Sequence, residues 1–375
     1  MDDLDETAAG GPIGVRLAAW RRRRGLTLDD LALRTGLEAE YVAGLEAGGR
    51  EWVDRRGPLA ALTAALRLDV ADLTGQPYPP RGEEHAAVRA VAFHLRRRLV
   101  RPHPGTAPLV LDELAAQIRA AEDAEAAGDE HRLALALPDL IEAADCAVAT
   151  AVGPGREEAV RLRVAAHVLG AGLLRRLGYK DLAWMLLHRA RPGIREPLAV
   201  LVEEVRLLID LGLPEYALAR AERAEDAGAG WEVPVLCAVA QAMTGHRQRA
   251  ERLLATAVRR ATDARDLATV VAARATVAAE YGDAEEAVGH VSAADLAALS
   301  GADRSRLLMV AAAAEAREDR ADQAVACLAE ADQVAPLRLR LDPFARDLVT
   351  ALASRTVDTV QAVVVRDLAE RAGLR

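Results

Sequence analysis

The chain has 375 residues, 51% of them hydrophobic but only 3% aromatic, and a formal net charge of −9. An apolar mass of Ala, Leu and Val favours close-packed helices over sheet, and the acidic excess excludes a wholesale polyanion binder. A single lysine, Lys180 in RRLGYKD, and no asparagine exclude the Gly-Lys-Ser/Thr phosphate loop, and with it kinase and ATPase chemistry.

The MDDLDE start lacks the basic and apolar regions of a secretion signal, so residues 1–11 read as a disordered acidic tail. In IGVRLAAWRRRRG, Ile13, Leu17 and Trp20 keep helical spacing until Gly25. Thr27 is placed to cap LDDLALRT, with Asp29 and Asp30 in the first turn, where the helix dipole favours anions. Gly36 supplies a turn, and EAEYVAGLE follows as a helix that buries Val42 and Leu45. PLAALTAAL and Val70 to Leu73 complete five short helices within residues 12–78. The window Gly11 to Leu68 carries ten Arg against seven Asp and Glu, hence +3, so the acidic charge sits elsewhere.

TGQPYPPRGEE breaks the pattern, and its prolines predict a semi-rigid spacer. A helix is expected from Glu84 to Val100, with Val88, Val91, Leu95 and Leu99 on one stripe. RPHPGTAP is a second break, so residues 79–108 read as a linker and connecting helix. His94 and His103 have no third ligand at metal spacing, and neither a metal site nor a cofactor is expected. Cys146, Cys237 and Cys327 are far apart and odd in number, which suits buried thiols in a reducing cytoplasm. No apolar run approaches the ~18 residues of a membrane span.

Residues 109–375 are all-helical and repeat. GYKDLA, GLPEYA, GHRQRA, GDAEEA and DRADQA align on Ala183, Ala217, Ala250, Ala287 and Ala324, in steps of 34, 33, 37 and 37 residues. Four of the five have Gly five residues before the alanine. Twelve residues before it stand Ala171, Val205, Ala238, Ala275 and Ala312, small enough for paired helices to approach closely. GDEHRLALALPDL reads as a decayed earlier unit. FARDLVTALASRT and VDTVQAVVVRDLAERAGL read as closing helices whose apolar face includes Val360, Val363, Val364 and Leu368.

The first module resembles the Cro/repressor-type (XRE-family) helix-turn-helix domains over roughly residues 12–74. The resemblance is carried by Arg21, Gly25, Leu31-Ala32, Gly36, Leu45, Glu46, Gly48 and LAALTAALRLDVADL. It implies a five-helix lambda-repressor-like fold and an Arg21–Glu46 pair tying the first helix to the third. The DNA-facing set is then Thr27, Arg34, Glu38, Ala39, Glu40, Tyr41, Gly44, Arg50, Arg55 and Arg56. Within it, Arg34, Arg50, Arg55 and Arg56 suit phosphate contacts, and Glu38 stands where the family commonly has a Ser or Thr cap. Leu28 replaces the Gln that usually opens the second helix. The window has neither Asn nor Gln, so bidentate amide reading of adenine is closed to it. Direct readout should be modest, leaving DNA shape and dimer spacing to supply specificity.

The second module resembles tetratricopeptide repeats, and its last unit keeps the terminal proline, Pro336. That likeness implies a helical solenoid whose groove is lined by Arg175, Arg176, Arg206, Val235, Val239 and Met243. Arginines at one end with small apolar residues beyond suit an acidic or amphipathic ligand such as a peptide carboxylate. The asparagines that hold peptide backbones in such repeats are missing.

The sequence therefore predicts an all-α protein, a cytoplasmic homodimeric transcriptional regulator that binds double-stranded DNA. Its repeats would sense a peptide, small-molecule or protein partner, through a change in solenoid curvature or dimer contacts. The alternative is a protein-interaction adaptor with a degenerate helix-turn-helix. No enzyme is expected: the adjacent carboxylates Asp29-Asp30 and Glu157-Glu158 diverge by about 100° on a helix and form no dyad.

Overall fold

The computed structural model describes residues 11–49, 51–100, 110–191, 193, 196–355 and 360–374. Among these are twenty-one helices and no strand, so the chain is all-α. Residues 1–10 of the expected acidic tail, Arg50, and RPHPGTAP with His103 lie outside the described residues. No helix among the described residues is long and apolar enough to cross a membrane.

Five short helices form an N-terminal unit: α1 (Ile13–Arg23), α2 (Leu28–Thr35), α3 (Ala39–Ala47), α4 (Arg56–Leu66) and α5 (Val70–Thr74). Their apolar stripes meet at Leu17, Leu31, Val42, Leu45, Leu62 and Leu66, all fully buried. Thr27 opens α2 with a reciprocal cap: its hydroxyl accepts from the Asp30 amide, and the Asp30 carboxylate accepts from the Thr27 amide. Arg21 forks onto Glu46 with two bonds of 2.6 Å, which ties α1 to α3. Glu38 corrects one expectation. It stands at the N-cap of α3, yet its side chain makes no capping bond and is exposed.

After α6 (Gly82–Val100), helices come in pairs. They are α7 (Leu111–Ala127) with α8 (Glu130–Thr150), α9 (Gly155–Arg176) with α10 (Lys180–Ala190), and α11 (Leu198–Asp210) with α12 (Pro214–Asp226). Then follow α13 (Glu232–Met243) with α14 (Arg247–Arg260), α15 (Ala264–Glu280) with α16 (Ala284–Ala293), and α17 (Gly301–Arg317) with α18 (Ala321–Val334). In the last five pairs the turn is three residues long, and its middle residue needs a left-handed backbone. Gly178, Gly212, Gly245 and Gly282 supply it, and Asp319 is forced into the same conformation at φ 56° where glycine is missing. The aligned alanines Ala183, Ala217, Ala250, Ala287 and Ala324 are at most 1% exposed, and the small residues twelve positions earlier are fully buried. GDEHRLALALPDL belongs to an intact pair, with Asp129 capping α8.

The pairs close on themselves. The first helix of each pair packs on the first helix of the next, and α17 returns to pack on α7, so six inner helices form a closed ring. The seam is tight: a side chain at Gly301 would sit 2.3 Å from the Ala127 carbonyl oxygen. A ring held shut at a backbone contact leaves little room for a ligand to work by changing curvature. Three further helices, α19 (Pro336–Leu341), α20 (Pro343–Arg355) and α21 (Val360–Ala372), cover the last pair. In α21 the buried stripe is Ala362, Val365, Leu368 and Ala369, while Val360 and Val363 face outward, contrary to expectation. That stripe follows the helical period through Leu368 and leaves Val360 and Val363 on the other side.

The N-terminal unit is docked on this ring. Neither α1 nor α4 has a side-chain cap of its own. Asp347 of α20 accepts from the amides of Ile13 and Val53 at 3.0 and 2.8 Å, and Glu280 of α15 accepts from those of Arg56 and Gly57 at 2.8 and 3.2 Å. Burial holds the Asp347 carboxyl above its ordinary range, although both amides and Arg16 pull the other way. Arg317 of α17 bonds Glu51, Asp54 and the Trp52 carbonyl oxygen, and its guanidinium lies 4.0 Å over the Trp52 ring, itself in the core of the last pairs. The proline-containing spacer is no free linker either. Gln76 donates to the carbonyl oxygens of Arg176 and Leu341, and Tyr78 is buried in the ring's largest core.

Replacing Asp347 with Ala leaves two buried amides without an acceptor and should cost about 2–4 kcal/mol. The loss is expected as a lower urea midpoint and earlier proteolytic cutting between α3 and α4; Asp347→Asn, which keeps one acceptor oxygen, should lose less.

Candidate functional site

The expected DNA-facing residues divide into two groups. Thr27, Arg34, Glu38 and Glu40 are exposed, and Ala39 is half-buried. Tyr41 and Gly44 turn towards the ring side. The Arg55 guanidinium lies 5.4 Å over the Tyr41 ring, and a side chain at Gly44 would meet Glu51 at 2.7 Å.

Arg55 and Arg56 are corrections. Arg55 is held among Tyr41, Asp54 at 3.6 Å and Gly282. Arg56 pairs with Glu280 at 3.1 Å, approaches Asp210 at 3.9 Å and lies over the Phe344 ring at 5.4 Å. Both sit on the segment pressed against the ring: carboxylates from α11 and α15 draw Arg56 inward, while Arg55 stays with Asp54 and Tyr41 of its own unit, against Gly282. Of the four expected phosphate arginines, Arg34 is exposed, Arg50 lies outside the described residues, and two serve the junction.

Beneath the N-terminal unit the bore of the ring holds a cavity of about 670 Å³, roofed by Arg56, Leu59, Ala60, Val70 and Gln76. Arg175, Arg176, Arg206, Val235 and Val239 line it, as the groove register implied, together with Trp231, Leu236, Arg306, Arg338 and Phe344. Met243 is not among the lining residues; its backbone abuts Gly57, where a side chain would come within 2.8 Å of the Met243 carbonyl oxygen. The volume falls within the range of small-molecule sites.

The wall is densely charged, and the charges are mostly matched. Arg175 bonds Glu203 at 2.7 Å and also Asp210; Arg176 reaches Glu125 at 3.0 Å and Glu130 at 2.9 Å; Arg206 bonds Glu232 at 2.9 Å. Burial works against the charge on Arg175, but Glu203 and Asp210 outweigh it and hold the guanidinium above its ordinary value. The same balance raises Arg176, through Glu130 and Glu125, and Arg206, through Glu232 and Glu203. Lys180 donates to the Asp210 carbonyl oxygen at 2.6 Å, and burial holds its ammonium below the usual value. The three groove arginines are therefore neutralised within the protein. They do not form the cationic end expected for an acidic ligand.

Sequence reasoning missed Arg306, Trp231, Asp342 and Phe344. Asp342 and Phe344 come from the closing helices, which the sequence assigned only to capping. Arg306 lies on the inner helix α17, where DRSRLLM offers a charged pair one turn apart on an otherwise apolar segment, a signal that could have been read. Among the described residues no cluster of His, Cys, Asp or Glu side chains could hold a metal ion. No known protein-family model matches the chain, and neither does any curated protein.

Asp210 joins bore and junction, and it sets a pH signature. Burial would raise its carboxyl, but Arg175, Arg56 and Lys180 outweigh it and hold it below the ordinary carboxylate range. A depressed folded-state value stabilises above the unfolded value and is lost as pH falls through the folded one. Asp210→Asn should cost roughly 1–3 kcal/mol near neutrality. The gap from wild type should close as pH drops below about 4, as read from thermal melts across pH.

Proposed function

We propose that the chain is a DNA-binding transcriptional regulator. In this reading the N-terminal unit is a Cro/repressor-type helix-turn-helix and the ring a tetratricopeptide-type sensor array, acting as a cytoplasmic homodimer on double-stranded DNA. One arrangement supports it above the others: α2 and α3 meet at Gly36 with Arg21 locked onto Glu46, while Thr27, Arg34, Glu38 and Glu40 stay exposed. The docked state is then the one with the weaker grip, because Arg56 is paired with Glu280 of the ring and Arg55, stacked on Tyr41, is pressed against Gly282. Release of the unit returns two cations to the phosphates. Since Arg56 lines the bore, occupancy of the cavity acts on that release directly, without a change in ring curvature. With no amide side chain for adenine, half-site spacing of about one helical turn in the dimer carries much of the specificity.

The placement of Tyr41 and Gly44 favours a second reading, in which the first unit has become a docking module of an interaction adaptor. Salt titration of full-length wild type and Arg317→Ala on a random-sequence duplex pool separates the two. The regulator reading expects the variant to bind roughly tenfold tighter at ~50 mM salt, with a log–log salt slope steeper by about two charges. Absence of binding by either folded protein at that salt overturns it and leaves the adaptor.

A further inference from the structure

A second, smaller chamber of about 330 Å³ lies between the N-terminal unit and the ring, walled by Tyr41, Arg55, Tyr281 and Arg317 among others. Five residues line both chambers: Arg56, Arg306, Met309, Asp342 and Phe344. They form a neck, and its charges are not equally satisfied.

Arg56, Arg175, Arg176, Arg206 and Arg338 each pair with a carboxylate at 3.1 Å or closer. Arg306 differs. Its one ion pair among the described residues is Asp303, a turn earlier on the same helix, at 3.4 Å. The other oxygen of that carboxylate already accepts from the Ser300 hydroxyl at 2.6 Å. Asp342 also faces the neck, but one of its oxygens accepts from the Phe344 and Ala345 amides, so its charge is turned to the start of α20. The Arg306 side chain is 55% accessible, and the space it reaches is the neck. The surrounding bore wall lowers its guanidinium value; Asp303 opposes this, and Arg206, Arg56 and Arg175 add to it. A cation set among cations, with one shared partner, is stabilised by an incoming anion. Beside it stand the apolar Phe344, Met309 and Val310.

We propose that the neck binds a small organic anion with an apolar body, its anionic group paired with Arg306 and its body against Phe344, Met309 and Val310. Binding needs nothing from the regulator reading; only its consequence rests on that reading, since the occupant touches Arg56 and lies in the chamber walled by Tyr41.

The test uses the full-length chain and two fluorescent probes of similar aromatic body, anionic 8-anilinonaphthalene-1-sulfonate and neutral N-phenyl-1-naphthylamine, with no DNA present. Wild type should bind the anionic probe saturably, one per chain. Arg306→Ala should weaken it at least about tenfold while changing the neutral probe less than about twofold, and Arg306→Lys should restore most of the affinity. Melting curves guard against misfolding: Arg306→Ala should melt at or above wild type, because a poorly paired cation is removed. Non-saturable binding to wild type, undiminished anionic binding to Arg306→Ala, or equal weakening of both probes would each overturn the assignment. A DNA-binding failure leaves it standing.

Discussion

Two helices of the N-terminal unit begin without caps and obtain them from carboxylates 334 and 224 residues away. This is the constraint on which the rest of the arrangement depends. The first amides of a helix have no partner inside it, and burying them without acceptors is costly. Asp347 and Glu280 meet that demand, so seating on the ring stabilises the first turns of α1 and α4. The segment between α3 and α4 is fixed by the same bonds. Arg317 adds to it from a third side.

The ring imposes a complementary constraint. Six inner helices bring their polar residues into one bore, where opposite charges come within reach of one another. Arginines and carboxylates there must find each other, and nearly all do. Matched charge makes the bore electrostatically quiet despite its composition. Selectivity then passes to the group left poorly matched, at the point where the bore meets the N-terminal unit. A molecule placed there faces elements of both units at once, which is why sensing and output, in the function proposed, require no long pathway between them.

How much of this was legible in the sequence follows from range. Helical period, turn glycines and aligned alanines are local signals. They gave the all-α class, the five short helices and the register of Ala183 through Ala324, because small residues at a fixed period have one packing solution. The Arg21–Glu46 pair came from the resemblance and is formed. Ring closure was not legible: it depends on how a small rotation per pair accumulates, and a linear pattern reads the same whether the array is open or shut. The fate of Arg55 and Arg56 was equally hidden. Arg56, at a helix start, looks solvated until Glu280 and Asp210, which sit far along the chain, are seen to face it, and so does Arg55 until Gly282 is seen beside it. Arg175, Arg176 and Arg206 were placed at the right address, but their partners on α7, α8, α11 and α13 decided their chemistry.

Asp319, Gly301 and the return of α17 onto α7 together set a count. An open array of helical pairs tolerates a unit gained or lost at its end, since each contacts only its neighbours. A circle of six has no such end. Deleting or duplicating one pair would part the Gly301–Ala127 seam and carry Glu280 and Asp347 out of reach of the helices they complete. A variant that keeps this ring must keep its number of pairs, and can differ in the bore's side chains but not in its length.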